Sequence, residues 1–319
     1  MRENEMQEKK RKFKMKREYN MLIVLIIMLI VCAIISPTFR TAQNFINLFG
    51  HNAVYGLLSV GMAFVIITGG VDLSVGSVCA LSGVLSAYAF IDYGFVPGLV
   101  VGLLIGAACG LINGLLQTVV GMNHFVATLG IMTIARGAVY IITSGFNIYG
   151  IPAEYGVIGM GYLGPFPVAG IIWLVCVAIA FFVLKYTRFG QYVYAIGGNM
   201  NAAWLSGINT KMVKTVVYLI CGFFAGLAGV VLSCRTLLAA ANAGDTYELT
   251  AISSCIVGGL SLDGGRGNVW GSVIGVLILG LILNIMQLTS VSSYWQDAVK
   301  GIIIIGAVAV DCMSKLKRD

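Results

Sequence analysis

Residues 96–118 carry the sequence VPGLVVGLLIGAACGLINGLLQT, which contains no charged side chain. An α-helix needs about 20 apolar residues to cross the ~30 Å hydrocarbon core of a membrane, so this stretch predicts a membrane-spanning helix. Gly102, Gly106, Gly110 and Gly114 recur along one face of it. Small residues let helix backbones approach closely in lipid, where no hydrophobic force drives helices together. The stretch therefore predicts a tightly packed helix bundle.

The whole chain has the composition of a membrane protein. It is 59% hydrophobic and only 10% charged, whereas soluble proteins carry about 25% charged residues. From Met21 to Leu184 the only basic residues are Arg40 and Arg136. Charged side chains are expected to be this rare in membrane-spanning segments, because placing a charge in hydrocarbon costs free energy. We predict an all-α, polytopic integral membrane helix bundle, and we interpret the basic N-terminus as a topology signal, not as a nucleic-acid-binding surface.

About ten transmembrane helices are predicted, one or more of them broken or re-entrant. The candidate spans are 21–36, 52–68, 74–91, 96–118, 124–143, 166–185, 212–234, 248–262, 268–288 and 296–313. The first is expected to be an uncleaved span, because no small-x-small cleavage site follows it. The eighth is short and rich in glycine, so it is the one expected to be broken or re-entrant.

Lysine and arginine clusters predict the orientation of these spans. They occur in a basic N-terminal tail, 1–20, in a loop after the sixth span, about 186–211, and in a C-terminal tail, 315–319. With both tails in the cytoplasm, the loop also falls on the cytoplasmic side after six crossings. The transmembrane domain is then 21–314. A hairpin that enters and leaves the membrane on one side would leave the three basic clusters on the same side, so their agreement does not fix the number of spans.

Residues 68–77, TGGVDLSVGS, interrupt the apolar pattern between two spans. The Gly69-Gly70 pair loosens a helix, and Ser74 is a plausible cap for the next one. Asp72 is either a solvated residue of a cytoplasmic turn, or part of a helix break that faces a translocation path or orders the fold. The sequence leaves these two interpretations equal.

Residues 186–210 are too polar to span a membrane and too hydrophobic to be a free linker. Asn199 can cap a short helix that runs through Ala202, Ala203, Trp204 and Leu205, and Gly207 can end it in a left-handed conformation. This predicts a short amphipathic helix on the cytoplasmic face. The alternative is an interfacial helix that lies on lipid.

A third glycine-rich segment, 258–267, is GGLSLDGGRG. It is not a nucleotide-binding loop, because a Walker loop requires a Gly-Lys pair and the chain has none. His51 and His124 form no HExxH motif, and no GxSxG or CxxC motif occurs. The sequence therefore predicts no catalytic residue, no metal site, no disulfide framework and no cofactor on this chain.

These segments together resemble the membrane permease subunits of ribose/galactose/xylose-type ABC sugar importers, within the wider group that includes branched-chain amino-acid permeases. The matching stretches are GMAFVIITGGVDLSVGSVCALSG (61–83), FVATLGIMTIARGAVYIITSGF (125–146), TRFGQYVYAIGGNMNAAWLSGI (187–208), YELTAISSCIVGGLSLDGGRGNVWGSVIGVLILG (247–280) and SSYWQDAVKGIIIIGAVAVD (292–311). The order of the five stretches makes the resemblance specific. The sequence of this chain departs from the family pattern at two positions, Met200 after Asn199 and Ile285 after Asn284.

The resemblance implies a non-catalytic permease in the bacterial cytoplasmic membrane. It implies a homodimer or a heterodimer with a similar permease, a cytoplasmic ABC ATPase that uses ATP and Mg, and an extracytoplasmic sugar-binding protein. It also implies that 187–208 is the coupling loop. By this interpretation coupling is carried by Asn199, Ala202, Ala203, Ser206 and Gly207.

Substrate is expected to pass along the dimer axis by alternating access. The candidate residues of the translocation path are Asp72, Asn113, Asn123, Arg136, Asn242 and Asn284, although each asparagine and the arginine could instead serve helix packing. A pentose or hexose is the expected solute, and a nucleoside, a polyol or a furanose-like signal is the alternative. A stand-alone secondary transporter is the rival class, but it would need more ionisable residues within the spans.

Overall fold

The computed structural model describes residues 17–316, and the predicted tail of residues 1–20 and the end of the C-terminal tail lie largely outside that range. Its helices are α1 Arg17–Ile35, α2 Ala42–Ile67, α3 Val75–Tyr93, α4 Phe95–Thr118, α5 His124–Thr143, α6 Gly156–Met160, α7 Val168–Tyr186, α8 Arg188–Gly198, α9 Met200–Leu205, α10 Thr210–Thr236, α11 Tyr247–Val257, α12 Val269–Leu288 and α13 Ser293–Leu316. Four two-residue strands complete the fold: β1 Ile148–Tyr149, β2 Tyr162–Leu163, β3 Phe166–Pro167 and β4 Leu238–Ala239.

The predicted class, a polytopic helical membrane protein, is confirmed. Among the residues described, 7 helices are long and apolar enough to cross a membrane, namely α2, α3, α4, α5, α7, α10 and α12. The apolar part of α1, Met21–Ile35, and α11 are shorter. The count of about ten spans therefore stays a prediction. Helix α2 begins ten residues before the predicted span, because Thr41 caps it by accepting a hydrogen bond from the Asn44 backbone.

The glycine stripe of α4 packs against a neighbouring helix as predicted. A Cβ at Gly106 would overlap the carbonyl oxygen of Gly222, and a Cβ at Gly222 would overlap that of Gly106. Gly110 approaches Gly222 and the Tyr218 carbonyl in the same way. Helices α4 and α10 therefore meet backbone to backbone, which is the contact that small residues permit in a membrane.

Helix α2 forms the centre of the bundle, and its apolar window is 83% buried. It packs against α10, α7, α11 and α12. Trp173 of α7 is fully buried beside it, and its indole ring fills the space that a side chain at Gly56 would need. An apolar helix buried on all sides is typical of the core of a large bundle.

The two ends of the bundle differ. At one end, the hairpin end, β2 pairs with β3 and β1 pairs with β4 in antiparallel register. At the other, the junction end, the loop after α2, the helix α8 and the loop after α11 meet. Helix α11 is only 11 residues long, and Gly258 is its C-cap residue. The eighth predicted span, 248–262, is therefore helical only as far as Val257, and the expectation that it is broken or re-entrant stays a prediction.

Candidate functional site: the junction end and a buried polar cluster

Three segments that the sequence singled out come together at the junction end. The Gly265 backbone donates a hydrogen bond of 2.8 Å to the Ile67 carbonyl at the end of α2. Gly197 of α8 lies against the same carbonyl and against Gly265, so closely that a Cβ on Gly197 would overlap both. Gly264 has a φ of +84° and approaches both Gly69 and Gly197. The contact that joins α8 to the end of α2 is therefore formed by backbone atoms.

Helix α9 follows this junction as a small projection with a defined cap at each end. The Asn199 side chain accepts a hydrogen bond of 3.0 Å from the Ala202 backbone, as predicted. Gly207 has a φ of +83°, and its backbone donates to the Trp204 carbonyl at 2.9 Å. Ser206 Oγ donates to the Ala202 carbonyl at 2.9 Å. Asn199 therefore caps the start of the short helix, and Ser206 and Gly207 cap its end.

The tip of α9 is formed by residues that sequence reasoning did not select. Trp204 is 66% exposed and Leu205 is 77% exposed, whereas the predicted coupling residue Ala203 is 4% exposed. Ala202 is also exposed. Adjacent large apolar side chains on a capped helix could have indicated this surface, since exposed apolar patches mark contacts with protein or membrane.

Asp72 is buried, with 1% of its surface exposed, so its interpretation as a solvated turn residue is wrong. Its Oδ1 accepts a hydrogen bond of 2.9 Å from the Ser74 backbone and one of 2.6 Å from Ser74 Oγ. Ser74 occupies the N-cap position of α3, as predicted, but its hydroxyl donates to Asp72 and its side chain makes no cap hydrogen bond to the helix. Asp72 thus stabilises the turn before α3.

Asn113 of α4 completes this cluster. Its Nδ2 donates to Ser74 Oγ at 2.9 Å and lies 3.4 Å from Asp72 Oδ1. Tyr218 of α10 donates its hydroxyl hydrogen to the Val71 carbonyl at 3.2 Å. Two of the six candidate path residues, Asp72 and Asn113, therefore meet in a polar cluster that joins the turn to α4 and α10. A buried polar network of this kind fixes the relative positions of its elements.

Two further candidates are associated with the irregular segment 237–246: Asn242 belongs to it, and Arg136 of α5 contacts its backbone. Arg136 Nη1 donates to the Ala243 carbonyl at 2.7 Å, and its Nη2 lies 2.8 Å from Asp245 Oδ1. Asn242 is exposed and lines a cavity of about 300 Å³ between α3, α10 and this segment. Asp245 was not among the predicted residues, because nothing in its local sequence pairs it with an arginine more than a hundred positions earlier.

The last two candidates lie elsewhere. Asn123 is exposed, and its side chain caps α5 by accepting from the Phe125 backbone at 2.8 Å. Asn284 exchanges two hydrogen bonds of 3.1 Å with Asn44, which joins α12 to α2. The six candidates thus do not form one continuous path within a single chain. Among the residues described, no three His, Cys, Asp or Glu side chains are placed to hold a metal ion.

Comparison with known proteins identifies the family. The family described as "branched-chain amino acid transport system / permease component" matches residues 44–308, which is most of the chain. The chain belongs to this permease family. The matched range begins within α2 and ends within α13, so it includes all three segments of the junction end.

Several curated relatives of this permease align over nearly their whole length. The ribose import permease protein RbsC of Bacillus subtilis is 44% identical over 90% of this chain and 90% of its own. The D-allose transport system permease protein AlsC of Escherichia coli is 38% identical over 92% and 91%, and the L-arabinose permease protein AraH of the same species is 37% identical over 92% and 90%. No solved structure matches the permease.

Proposed function

We propose that this permease is the membrane subunit of an ATP-driven importer of a small sugar in the bacterial cytoplasmic membrane. The relatives described as permeases for ribose, D-allose and L-arabinose support a pentose or hexose as the solute. The alternatives within the same role are a nucleoside, a polyol or a furanose-like signal. Two copies, or one copy and a similar permease, would enclose the path, and an extracytoplasmic binding protein would deliver the sugar.

The junction end is the observation on which the proposal chiefly depends. Helix α9 presents Trp204 and Leu205 to the outside, and it is joined through Gly197 to the end of the central helix α2. A partner ATPase that grips α9 could therefore move α8 and α2 as one body. We assign the hydrolysis of ATP with Mg²⁺ to that partner and coupling to α9, with Asn199, Ser206 and Gly207 shaping it. The N- and C-termini would then lie in the cytoplasm.

The experiment is uptake into liposomes that contain the purified permease, with and without its partner ATPase. We expect uptake of labelled D-ribose to require the ATPase, ATP and the binding protein. Uptake by the permease alone, driven by an ion gradient, would instead establish the secondary-transporter class. A thermal-shift screen of the binding protein with sugars and nucleosides identifies the solute independently of the transport assay.

Variants of α9 test the coupling assignment in the same liposomes. Asn199→Ala removes the cap at the start of α9, which costs ~0.5–2 kcal/mol of helix stability. We expect ATP hydrolysis to continue while sugar uptake per ATP falls. The matched control is Thr41→Ala, which removes the side-chain cap at the start of α2 and lies outside the candidate path residues. Normal uptake per ATP in the Asn199 variant would show that coupling does not depend on α9.

A further inference from the structure

A cavity of about 300 Å³ lies within the permease between α3, α10, the segment 237–246 and the first residue of α11. Cys79, Gly83, Ser233, Asn242 and Tyr247 are among the residues that line it. We infer that this cavity binds the sugar during its passage and contributes to the choice of solute. The inference rests on the proposed function and adds a binding site within one subunit to the path between two subunits.

The segment 237–246 enters the bundle without being helical. It leaves α10 at the hairpin end, and Gly244 reaches the carbonyl of Gly76 near the start of α3. Gly76 lies about 26 Å along the α3 axis from Tyr93, at ~1.5 Å per residue, and Phe90 of the same helix contacts Tyr155 at the hairpin end. Non-helical backbone at membrane depth is tolerated only where it is buried in protein or lines a water-filled cavity.

The segment is also held in one conformation. Arg136 of α5 donates to the carbonyls of Ala241 and Ala243 and pairs with Asp245. The Ala241 backbone donates to Asn147 Oδ1 at 3.2 Å, and β4 pairs with β1. The segment 237–246 forms one wall of the cavity. Because its backbone groups have fixed partners, this wall is a preformed surface, as ligand sites usually are.

Backbone strain marks both ends of this wall. Leu237 has a φ of +50° and Thr246 a φ of +63°. Side chains disfavour this left-handed region, and β-branched residues such as threonine disfavour it strongly. Strain of this kind collects at ligand-binding and switching sites, where the surrounding structure maintains it. Here the two strained residues bracket the residues that the segment 237–246 contributes to the cavity lining.

The chemistry of the cavity suits a neutral polyhydroxylated ligand. Asn242 offers an amide that both donates and accepts, and Ser233 offers a hydroxyl whose hydrogen is directed to the Val230 carbonyl at 3.1 Å. Tyr247 and Leu232 supply apolar surface. The charge of Asp245 is matched by Arg136, so the wall presents no unmatched charge to attract an ion. The volume is at the lower end of the ~300–1,000 Å³ of small-molecule sites, which fits a sugar of five or six carbons.

Protection of an introduced cysteine tests binding directly. Asn242→Cys places a thiol in the cavity wall, and Ala153→Cys places one at an exposed position of the hairpin end, outside the cavity lining. We expect saturating D-ribose, with L-arabinose and D-allose in parallel, to slow maleimide labelling at position 242 and to leave position 153 unchanged in the assembled importer. Equal labelling with and without every sugar would overturn the inference.

Transport by two other variants gives an independent readout. Asn242→Ala removes the amide, and Ala240→Phe fills the cavity. For Asn242→Ala we expect uptake of D-ribose to fall about tenfold, the effect of a lost ~1.4 kcal/mol interaction, and for both variants we expect a changed preference among the three sugars. Asn242→Gln, which keeps the amide, should retain most uptake.

The outcomes separate this inference from the proposed function. If the natural importer carries a sugar while Asn242→Ala and Ala240→Phe keep its rate and preference, the cavity is not a sugar site and the importer role stands. If the natural importer carries none of the three sugars with ATP present, the sugar function and the cavity assignment are both wrong.

Discussion

The contact between Gly197 and Ile67 gives the sharpest prediction for the junction end. A Cβ at Gly197 would overlap the Ile67 carbonyl oxygen and the Gly265 backbone nitrogen. Both obstacles are backbone atoms, so no side chain can rotate away and the segments must separate. Overpacking of this kind costs ~1–3 kcal/mol. In Gly197→Ala the separation breaks the connection through which α8 would act on α2.

The assay compares sugar uptake per ATP hydrolysed in the liposome system. A strain of ~1–3 kcal/mol shifts the equilibrium toward separation of α8 from α2 by about 5–150-fold, so we expect uptake per ATP to fall while ATP hydrolysis continues. The Gly197→Ala permease should still bind its ATPase, because α9 and its caps are unchanged.

Gly198→Ala is the matched control. It is the next residue of the same helix, and a Cβ there meets nothing within 4 Å. We expect its uptake per ATP to equal that of the natural permease. Equal behaviour of the two variants, whether both normal or both impaired, would refute the argument that backbone contact at Gly197 transmits the movement.

Three further outcomes are expected. Asp72→Ala should lower the thermal stability of the purified permease, because the partners left unpaired in Ser74 and Asn113 cost ~1–3 kcal/mol each; Asp92→Ala, at an exposed residue, should leave the melting temperature unchanged. Gly106→Leu should prevent α4 from packing on α10 and abolish folded yield, whereas a folded, active variant would contradict the backbone contact with Gly222. Arg136→Gln should release the 241–245 backbone and raise its amide exchange; protection equal to that of the natural permease would show that the arginine does not hold this wall.

Much of the fold could be predicted because its determinants are local. The glycine spacing on α4 indicates a close-packed face whatever the partner, since small residues at that spacing let helices approach closely in lipid. The caps of α9 were likewise predictable, because Asn199 and Gly207 act on backbone groups within three residues of themselves.

The site residues required tertiary information. The Asp72 turn could not be distinguished from a solvated turn, because the Asn113 amide that helps to bury it comes 41 positions later. The contact of Arg136 with Ala243 spans 107 positions, and no spacing rule connects them. The start of α2 was missed for a different reason: Gln43, Asn44 and Asn47 lower the hydropathy of its first turns, although α2 already begins at Ala42.

The most direct test of the whole account is a photo-cross-link from the tip of α9 in the assembled importer. Leu205→Cys, at a residue 77% exposed, and Leu163→Cys, at a residue 70% exposed on the hairpin end, each carry a benzophenone maleimide. We expect the probe at position 205 to join the permease to the ATPase and the probe at position 163 not to do so. An adduct of position 205 with lipid alone, or an ATPase adduct from position 163, would contradict it.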